Sequence, residues 1–200
     1  GGLNGIFIVF DGKAILGTRA RKVRSKSFAA FDSIGYPIAA FIDDNRIIKY
    51  LESPAISSEV RFAPSISDSV FLLKLIPGIR PEILAYLGEH YDIIVIESYG
   101  VGGIPFYDKR NFLNELRALT EKGKIIVIAT QVMLEGSDAE KYEVGALALD
   151  RYNVLQSFDM TVESAVTKLM WLCAEHEGYE EIRDGFYKCI NHDLLYDPKN

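Results

Sequence analysis

Residues 92–105, with the sequence DIIVIESYGVGGIP, run from an uninterrupted apolar stretch straight into a glycine-rich segment. Apolar residues without alternation are typical of a strand that is buried on both faces of a parallel sheet. Two similar stretches are SVFLLKL (69–75) and KIIVIAT (124–130). Helical patterns separate the three stretches, at PEILAYLGE (81–89) and DKRNFLNELRALTEKG (108–123). We therefore predict an α/β domain over residues 69–200, built on a parallel, Rossmann-like sheet.

The first 68 residues have a different pattern. GIFIVF (5–10) and the strand that begins at Lys13 are joined by Asp-Gly, which predicts a β-hairpin. An isolated hairpin is only marginally stable in water, so we expect residues 1–36 to be the last hairpin of an N-terminal domain whose other elements are missing here. Prolines interrupt residues 37–68, which we interpret as a linker with one or two short strands.

Composition excludes several classes of function. The net charge of -6 argues against nucleic acid as the main partner, although a local basic stripe stays possible. Only two cysteines occur, without metal-like spacing, so we expect neither a structural zinc site nor a disulfide framework. No segment has the length of a membrane span, and the first residues lack the features of a signal peptide, so we expect a cytoplasmic protein.

The loops that follow the second and third strands are candidate ligand sites. They are ESYGVGGIP (97–105) and ATQVMLEGSD (129–138), and ligands of open α/β sheets bind beyond the carboxyl ends of the strands. Glycines in the first loop could let backbone N–H groups approach an anion. Their spacing does not match the dinucleotide-binding fingerprint, and a tight turn without a ligand explains them equally well.

A cluster of positive charge precedes the linker. Five of the ten residues in GTRARKVRSK (17–26) are basic. A partly desolvated lysine beside other cations can take part in proton transfer, which makes Lys22 a candidate, but the residue types alone favour a solvated basic face.

Four stretches together identify a family. They are VFDGKAILGTRARKVRSKSFAAFDS (9–33), SYGVGGIP (98–105), GKIIVIATQ (123–131) and FDMTVESAVTKLMWL (158–172). In this order they resemble the L-asparaginases, specifically the bacterial type I, cytoplasmic group, and the match runs along nearly the whole chain. The resemblance implies an amidohydrolase that converts L-asparagine to L-aspartate and ammonia through a threonine nucleophile and an acyl-enzyme.

The resemblance also implies roles for individual residues. Lys22 corresponds to the family's catalytic lysine, with Arg19, Arg21, Arg24 and Lys26 either assisting it or forming surface. The family's two threonine motifs, Thr-Gly-Gly-Thr and Thr-Asp-Thr, do not occur in these residues, so we expect this carboxyl-terminal portion to be inactive alone.

The glycine-rich loop has an implied role as well. Tyr99, Gly102 and Gly103 correspond to substrate contacts made in a neighbouring subunit of a homodimer or homotetramer, without metal or cofactor. Glu97 and Val132 stand where some type I members have an arginine and a cysteine of a regulatory site, so we expect that site to be absent or altered.

Two alternatives remain open. One is the glutaminase subunit of a tRNA-dependent amidotransferase, which belongs to the same fold family. The other is a non-catalytic α/β domain that binds a small molecule through the glycine-rich loop.

Overall fold

The structure is a computed structural model that describes residues 4–52, 62–107, 109–141 and 143–196. Four strands, three of which the sequence predicted, form a parallel sheet. The elements, in chain order, are β1 (Phe7–Phe10), β2 (Lys13–Leu16), β3 (Ala20–Lys22), β4 (Phe31–Ser33), β5 (Ala40–Asp43), β6 (Arg46–Lys49), β7 (Val70–Lys74), α1 (Glu82–His90), β8 (Ile93–Ser98), β9 (Phe106–Tyr107), β10 (Arg110–Asn111), α2 (Phe112–Glu121), β11 (Ile125–Thr130), a 3-10 turn (Ala139–Lys141), α3 (Glu143–Tyr152), β12 (Leu155–Gln156), α4 (Val162–Glu175) and α5 (Tyr179–Tyr187).

The parallel sheet has the order β12-β11-β8-β7, and every residue of β8 and β11 is buried. Side chains alternate between its faces. Ile94 and Ile96 pack with α1, α2 and α3 on one side, whereas Ile93 and Val95 pack with α4 and α5 on the other. The predicted α/β domain with a parallel sheet is thereby confirmed. The sequence analysis did not predict α3 or the two-residue strand β12.

A second sheet lies in the first part of the chain, with the antiparallel order β1-β2-β5-β6. The β1–β2 hairpin turns through Asp11 (φ 49°) and Gly12 (φ 71°), a two-residue turn of the type predicted. The hairpin also has partners within this chain, because Ala14 of β2 pairs with Ala40 of β5. This sheet crosses the boundary drawn at residue 36, so the segment expected as a linker over 37–68 begins with the β5–β6 hairpin. Residues 53–61 of that segment lie outside the described residues.

Strands β3 and β4 form a separate antiparallel ribbon, the β3–β4 ribbon (residues 20–33), which lies in sequence between β2 and β5 of the antiparallel sheet. Arg19 extends its pairing, since the Ile34 N–H donates to the Arg19 carbonyl at 2.9 Å. No helix in the described part of the chain is both long and apolar enough to cross a bilayer.

Candidate functional site

Lys22 is the last residue of β3 and stands opposite Phe31 of β4. Its side chain is exposed, and none of the described residues forms an ion pair with it. Side chains on a strand alternate between its two sides, so Lys22 and the preceding Arg21 project from opposite sides of β3. The structure therefore presents Lys22 as an exposed ammonium at the end of β3.

The other basic residues of the 17–26 cluster have different surroundings. Arg19 is completely buried, and Arg21 forms an ion pair with Glu163 at 3.1 Å between Nε and Oε1. Arg24 donates from Nη1 to the carbonyl of Ala29 at 2.9 Å, and Lys26 is exposed. For Arg19 the interpretation as surface is wrong, because its charge is paired inside the protein. The cluster is thus not one continuous basic face.

The buried Arg19 guanidinium lies in a junction between the ribbon and the second half of the chain. Nη2 donates to the Asp159 carboxylate at 2.7 Å, and Nη1 donates to the Asp159 carbonyl at 2.7 Å. Nε donates to the carbonyl of His192 at 2.6 Å, and the guanidinium also lies over the ring of Tyr36. Fixed, charge-assisted bonds of this kind are the strong class of hydrogen bond.

Further polar contacts complete this junction. The Thr161 hydroxyl donates to the Thr18 carbonyl at 3.0 Å, and the Thr18 hydroxyl donates to the Asn191 carbonyl at 2.7 Å. Thr161 is also the N-cap of α4, because its side chain accepts from the Ser164 N–H. The Tyr36 ring stacks on His192, with 3.1 Å between the hydroxyl and Nδ1. Together with Arg19–Asp159 and Arg21–Glu163, these contacts are called the junction below.

The glycine-rich loop closes on itself. The N–H groups of Gly102 and Gly103 both donate to the Tyr99 carbonyl, at 3.1 and 2.7 Å, and the Tyr99 N–H donates back to the Gly103 carbonyl at 3.0 Å. In this conformation neither glycine N–H is available to an anion. Gly102 is buried with φ 141°, and a Cβ there would lie 2.7 Å from the Cα of Ala139. Close packing therefore requires a glycine at 102.

Polar side chains at the carboxyl edge of the parallel sheet bind the neighbouring backbone. The Gln131 amide donates to the carbonyls of Leu75 (2.7 Å) and Glu97 (3.0 Å). The Thr130 hydroxyl donates to the Gly100 carbonyl and accepts from the Val132 N–H. Glu97 is nearly buried and forms an ion pair with Lys74 at 3.4 Å. These groups fix the loops rather than project into open space.

A cavity of about 240 Å³ lies beside the junction, where Arg21, Thr130, Asp159, Thr161 and Tyr196 line part of its wall. Lys22, Tyr99, Gly102 and Gly103 do not line it. The predicted catalytic lysine and the predicted substrate contacts are thus not brought together in this cavity of the single chain. The sequence analysis did not single out Asp159 or Thr161. The sequence pattern that could have indicated them is the alternation of the polar residues Asp159, Thr161 and Glu163 where α4 begins.

A buried ion pair supports the loop that supplies the carbonyls of Asn191 and His192. Lys168 of α4 donates to Asp193 at 2.8 Å and to the carbonyl of Lys188 at 2.7 Å. Asp193 accepts the Ile190 N–H with its other oxygen at 2.7 Å. Burial lowers the pKa of Lys168, and the neighbouring Asp193 opposes that change. The 189–196 loop is therefore anchored to α4 as well as to Arg19.

The fold and the site define a class of protein. A parallel sheet covered by helices on both faces, with glycine-containing loops at its carboxyl edge, is typical of α/β proteins that bind small molecules there. Residues 69–186 match the Glutaminase/Asparaginase C-terminal domain, and residues 2–55 match Asparaginase, N-terminal. The chain belongs to the glutaminase/asparaginase family, as its sequence motifs indicated.

Similar proteins carry related names. The L-asparaginase of Thermococcus kodakarensis is 39% identical over 182 residues, which cover 91% of this chain and 55% of that protein. The L-asparaginase 1 of Escherichia coli is 27% identical over 199 residues, which cover 98% of this chain and 57% of that protein. A glutamyl-tRNA(Gln) amidotransferase subunit from Methanosphaera stadtmanae is 30% identical, with 83% of this chain and 38% of that protein covered.

A solved structure agrees with these relatives. The thermostable L-asparaginase from Thermococcus kodakarensis superposes with a TM-score of 0.89 at 36% identity, covering 96% of this chain and 58% of that one. The chain therefore spans little more than half of the length of the L-asparaginases it matches.

Proposed function

We propose that this chain is the carboxyl-terminal part of an amidohydrolase that converts L-asparagine to L-aspartate and ammonia. The observation that carries the proposal is the consecutive match of both family domains, at residues 2–55 and 69–186, with Lys22 inside the first. A relative at 39% identity is named L-asparaginase. We also propose that the enzyme is a cytoplasmic homo-oligomer that has no nucleic-acid or membrane partner.

The proposed reaction is an acyl transfer in two steps. A threonine hydroxyl supplied by residues outside this chain attacks the side-chain amide carbon of asparagine, the C–N bond breaks, and the nitrogen leaves as ammonia after taking up the hydroxyl proton. Water then hydrolyses the acyl-enzyme, which releases aspartate and restores the hydroxyl. Lys22 supports the proton relay to the nucleophile, and its exposed ammonium at the end of β3 suits that role.

The substrate contacts are proposed across a boundary between two copies of the protein. Tyr99, Gly102 and Gly103 belong to the loop that would complete the site of a neighbouring subunit. Because Gly102 is buried against Ala139, the half-buried Tyr99 and Gly103 are the more accessible of the three. The proposed division into domains keeps residues 69–200 as the C-terminal domain.

The test compares two lengths of the protein. We expect the full-length protein to release ammonia from asparagine and residues 1–200 alone to release none. In the full-length protein, Lys22→Ala should lower kcat by about 10²–10⁴-fold with the fold retained. Lys26→Ala removes an exposed lysine of the same segment and is the matched control. Hydrolysis by residues 1–200 alone, or a near-normal kcat for Lys22→Ala, would refute the corresponding part of the proposal.

A second candidate is the glutaminase of a tRNA-dependent amidotransferase, supported by the 30% identity to the Methanosphaera stadtmanae protein. The ratio of kcat/KM for asparagine to that for glutamine separates the two. A preference for glutamine that increases on addition of glutamyl-tRNA favours the second candidate. Tight binding of either amino acid by the full-length protein without ammonia release would instead favour the non-catalytic domain.

A further inference from the structure

The junction holds the segment that leads into the strand carrying Lys22. Arg19 reaches Asp159 and the 189–196 loop, and Arg21 reaches Glu163 of α4. Arg19 lies in the turn just before β3, whereas Arg21 and Lys22 are consecutive residues of β3 and therefore project from opposite sides of the strand. The start of the ribbon is therefore held by chain neighbours of Lys22 and not by contacts of Lys22 itself.

Arg19 is the best-fixed of these contacts. Its side chain has no exposed surface, whereas those of Arg21 and Glu163 are 28% and 53% exposed. Three of its nitrogens donate to two residues, and the Asp159 carboxylate also accepts the N–H groups of Leu195 and Tyr196. A planar guanidinium held by several bonds has one orientation available, which fixes the backbone that carries it.

We propose that Arg19 and Asp159 are positioning residues for Lys22: their buried ion pair sets where β3 places the lysine relative to the proposed reaction centre. The inference rests on the proposed function. Lys22 lies three positions after Arg19, a path of roughly 10 Å along extended backbone. A small rotation at Arg19 therefore moves the lysine. Misplacement by about 1 Å can cost about 10²-fold in rate.

The Lys168–Asp193 pair completes the support. It holds the 189–196 loop from the side of α4, so the carbonyl of His192 that accepts from Arg19 is itself fixed. Lys22 is thus linked to the parallel-sheet half of the chain through a short series of polar contacts, although its own side chain makes none of them.

The experiment uses the full-length protein with Asp159→Asn, which keeps the shape of the side chain and removes its charge. Glu163→Gln is the matched control, because it weakens the exposed ion pair of Arg21 on the same ribbon. We expect Asp159→Asn to lower kcat by about 10²-fold while KM stays within about threefold, and Glu163→Gln to leave both near wild type. The pH dependence of kcat should also change, since Lys22 would meet its proton-relay partners at a different distance.

A second variant and a second measurement cover the case in which Asp159→Asn does not fold. Thr18→Val removes one junction hydrogen bond, to the Asn191 carbonyl, and should lower kcat in the same direction by a smaller factor. Amide hydrogen exchange over residues 17–33 reports whether the ribbon has loosened, independently of activity.

The outcomes are distinct. Faster exchange over 17–33 together with a lower kcat and an altered pH profile supports the inference. A folded Asp159→Asn or Thr18→Val protein with wild-type kcat and pH profile overturns it, whatever the exchange rates. If the wild-type full-length protein does not hydrolyse asparagine, the proposed function fails, and unchanged exchange in Asp159→Asn then overturns the placement of Lys22 by this pair as well.

Discussion

Two basic side chains three positions apart, Arg19 and Lys22, have opposite environments. Arg19 is buried and bonded on three nitrogens, while Lys22 is exposed at the end of β3. Burying a guanidinium is costly unless its partners are complete, and removing one partner of a buried pair typically costs about 3–5 kcal/mol. Asp159 and the His192 carbonyl supply those partners. Arg19 thus anchors the segment, and Lys22 carries its proposed chemistry.

Gly102 offers a test of how much of the glycine-rich loop is structural. We expect Gly102→Ala to lower the free energy of unfolding by about 2–4 kcal/mol, because the new methyl group would overlap Ala139 and the backbone is left-handed there. Gly100→Ala is the matched control, since φ is 51° and a Cβ would meet nothing within 4 Å. Its cost should be about 1 kcal/mol. Urea unfolding measures both, and equal losses would contradict the packing argument.

At this scale the sequence could distinguish Lys22 from its neighbours only through the family resemblance. The residue types of Arg19, Arg21 and Arg24 are the same, and arginine is usually exposed. What separates Arg19 is a carboxylate 140 positions away in the chain. A contact of that sequence separation leaves no local pattern, so burial of Arg19 could not be predicted from the 17–26 segment.

Among the elements, those with strong periodicity were predictable and the short ones were not. The apolar runs of β7, β8 and β11 predicted the parallel sheet because both faces of the central strands are buried. Strand β12 has two residues and takes its place only by pairing with β11. Strand β6 is exposed at all four residues, so it has no buried face to reveal it. Its pairing with β5 adds it to the first sheet.

Helix α5 carries a tyrosine whose titration should appear in the stability of the protein. The Tyr187 hydroxyl accepts the Gln156 N–H at 3.0 Å, and burial raises the pKa of Tyr187 from 10.0 to about 12. Above pH 10 the folded protein then binds more protons than the unfolded chain, so its stability falls as the pH rises towards 12. The loss from this group is about 2–3 kcal/mol across the window.

Tyr187→Phe isolates that contribution. The difference in unfolding free energy between wild type and Tyr187→Phe should be constant below about pH 9 and should then shift in favour of the variant as the pH rises. Tyr107→Phe, which removes an exposed phenol, controls for the substitution. Urea unfolding at several pH values measures the difference, and one that does not vary up to about pH 11.5 would contradict the burial effect on Tyr187.

Over the whole molecule, the segment that leads into the β3–β4 ribbon is joined to the parallel-sheet half of the chain by polar contacts. The parallel sheet has apolar clusters on both faces, and the junction connects it to the ribbon through Arg19, Thr18 and Arg21. Such contacts require correct geometry, because each buried polar group must find its partner. In the described residues every fully buried side-chain nitrogen and oxygen has one.

The charge of the molecule gives a prediction about RNA. The net charge is -6. In the basic segment Arg19 is buried in an ion pair with Asp159 and Arg21 is paired with Glu163, which reduces the positive charge available to a phosphate. We expect replacement of both Arg24 and Lys26 by alanine to leave the affinity of the full-length protein for tRNA, and its salt dependence, unchanged. A weaker affinity with a salt slope reduced by about 2 would mean that this segment binds phosphates. Titration by fluorescence anisotropy at several salt concentrations makes the measurement.

The junction also has a consequence for folding during synthesis on the ribosome. Thr18 and Arg19 donate to the carbonyls of Asn191 and His192, which are synthesised 173 residues later. Translation proceeds at about 5–20 residues per second, so this segment spends roughly ten seconds or more outside the ribosome before its partners exist. The Arg19 guanidinium therefore cannot reach its buried state before His192 has been synthesised.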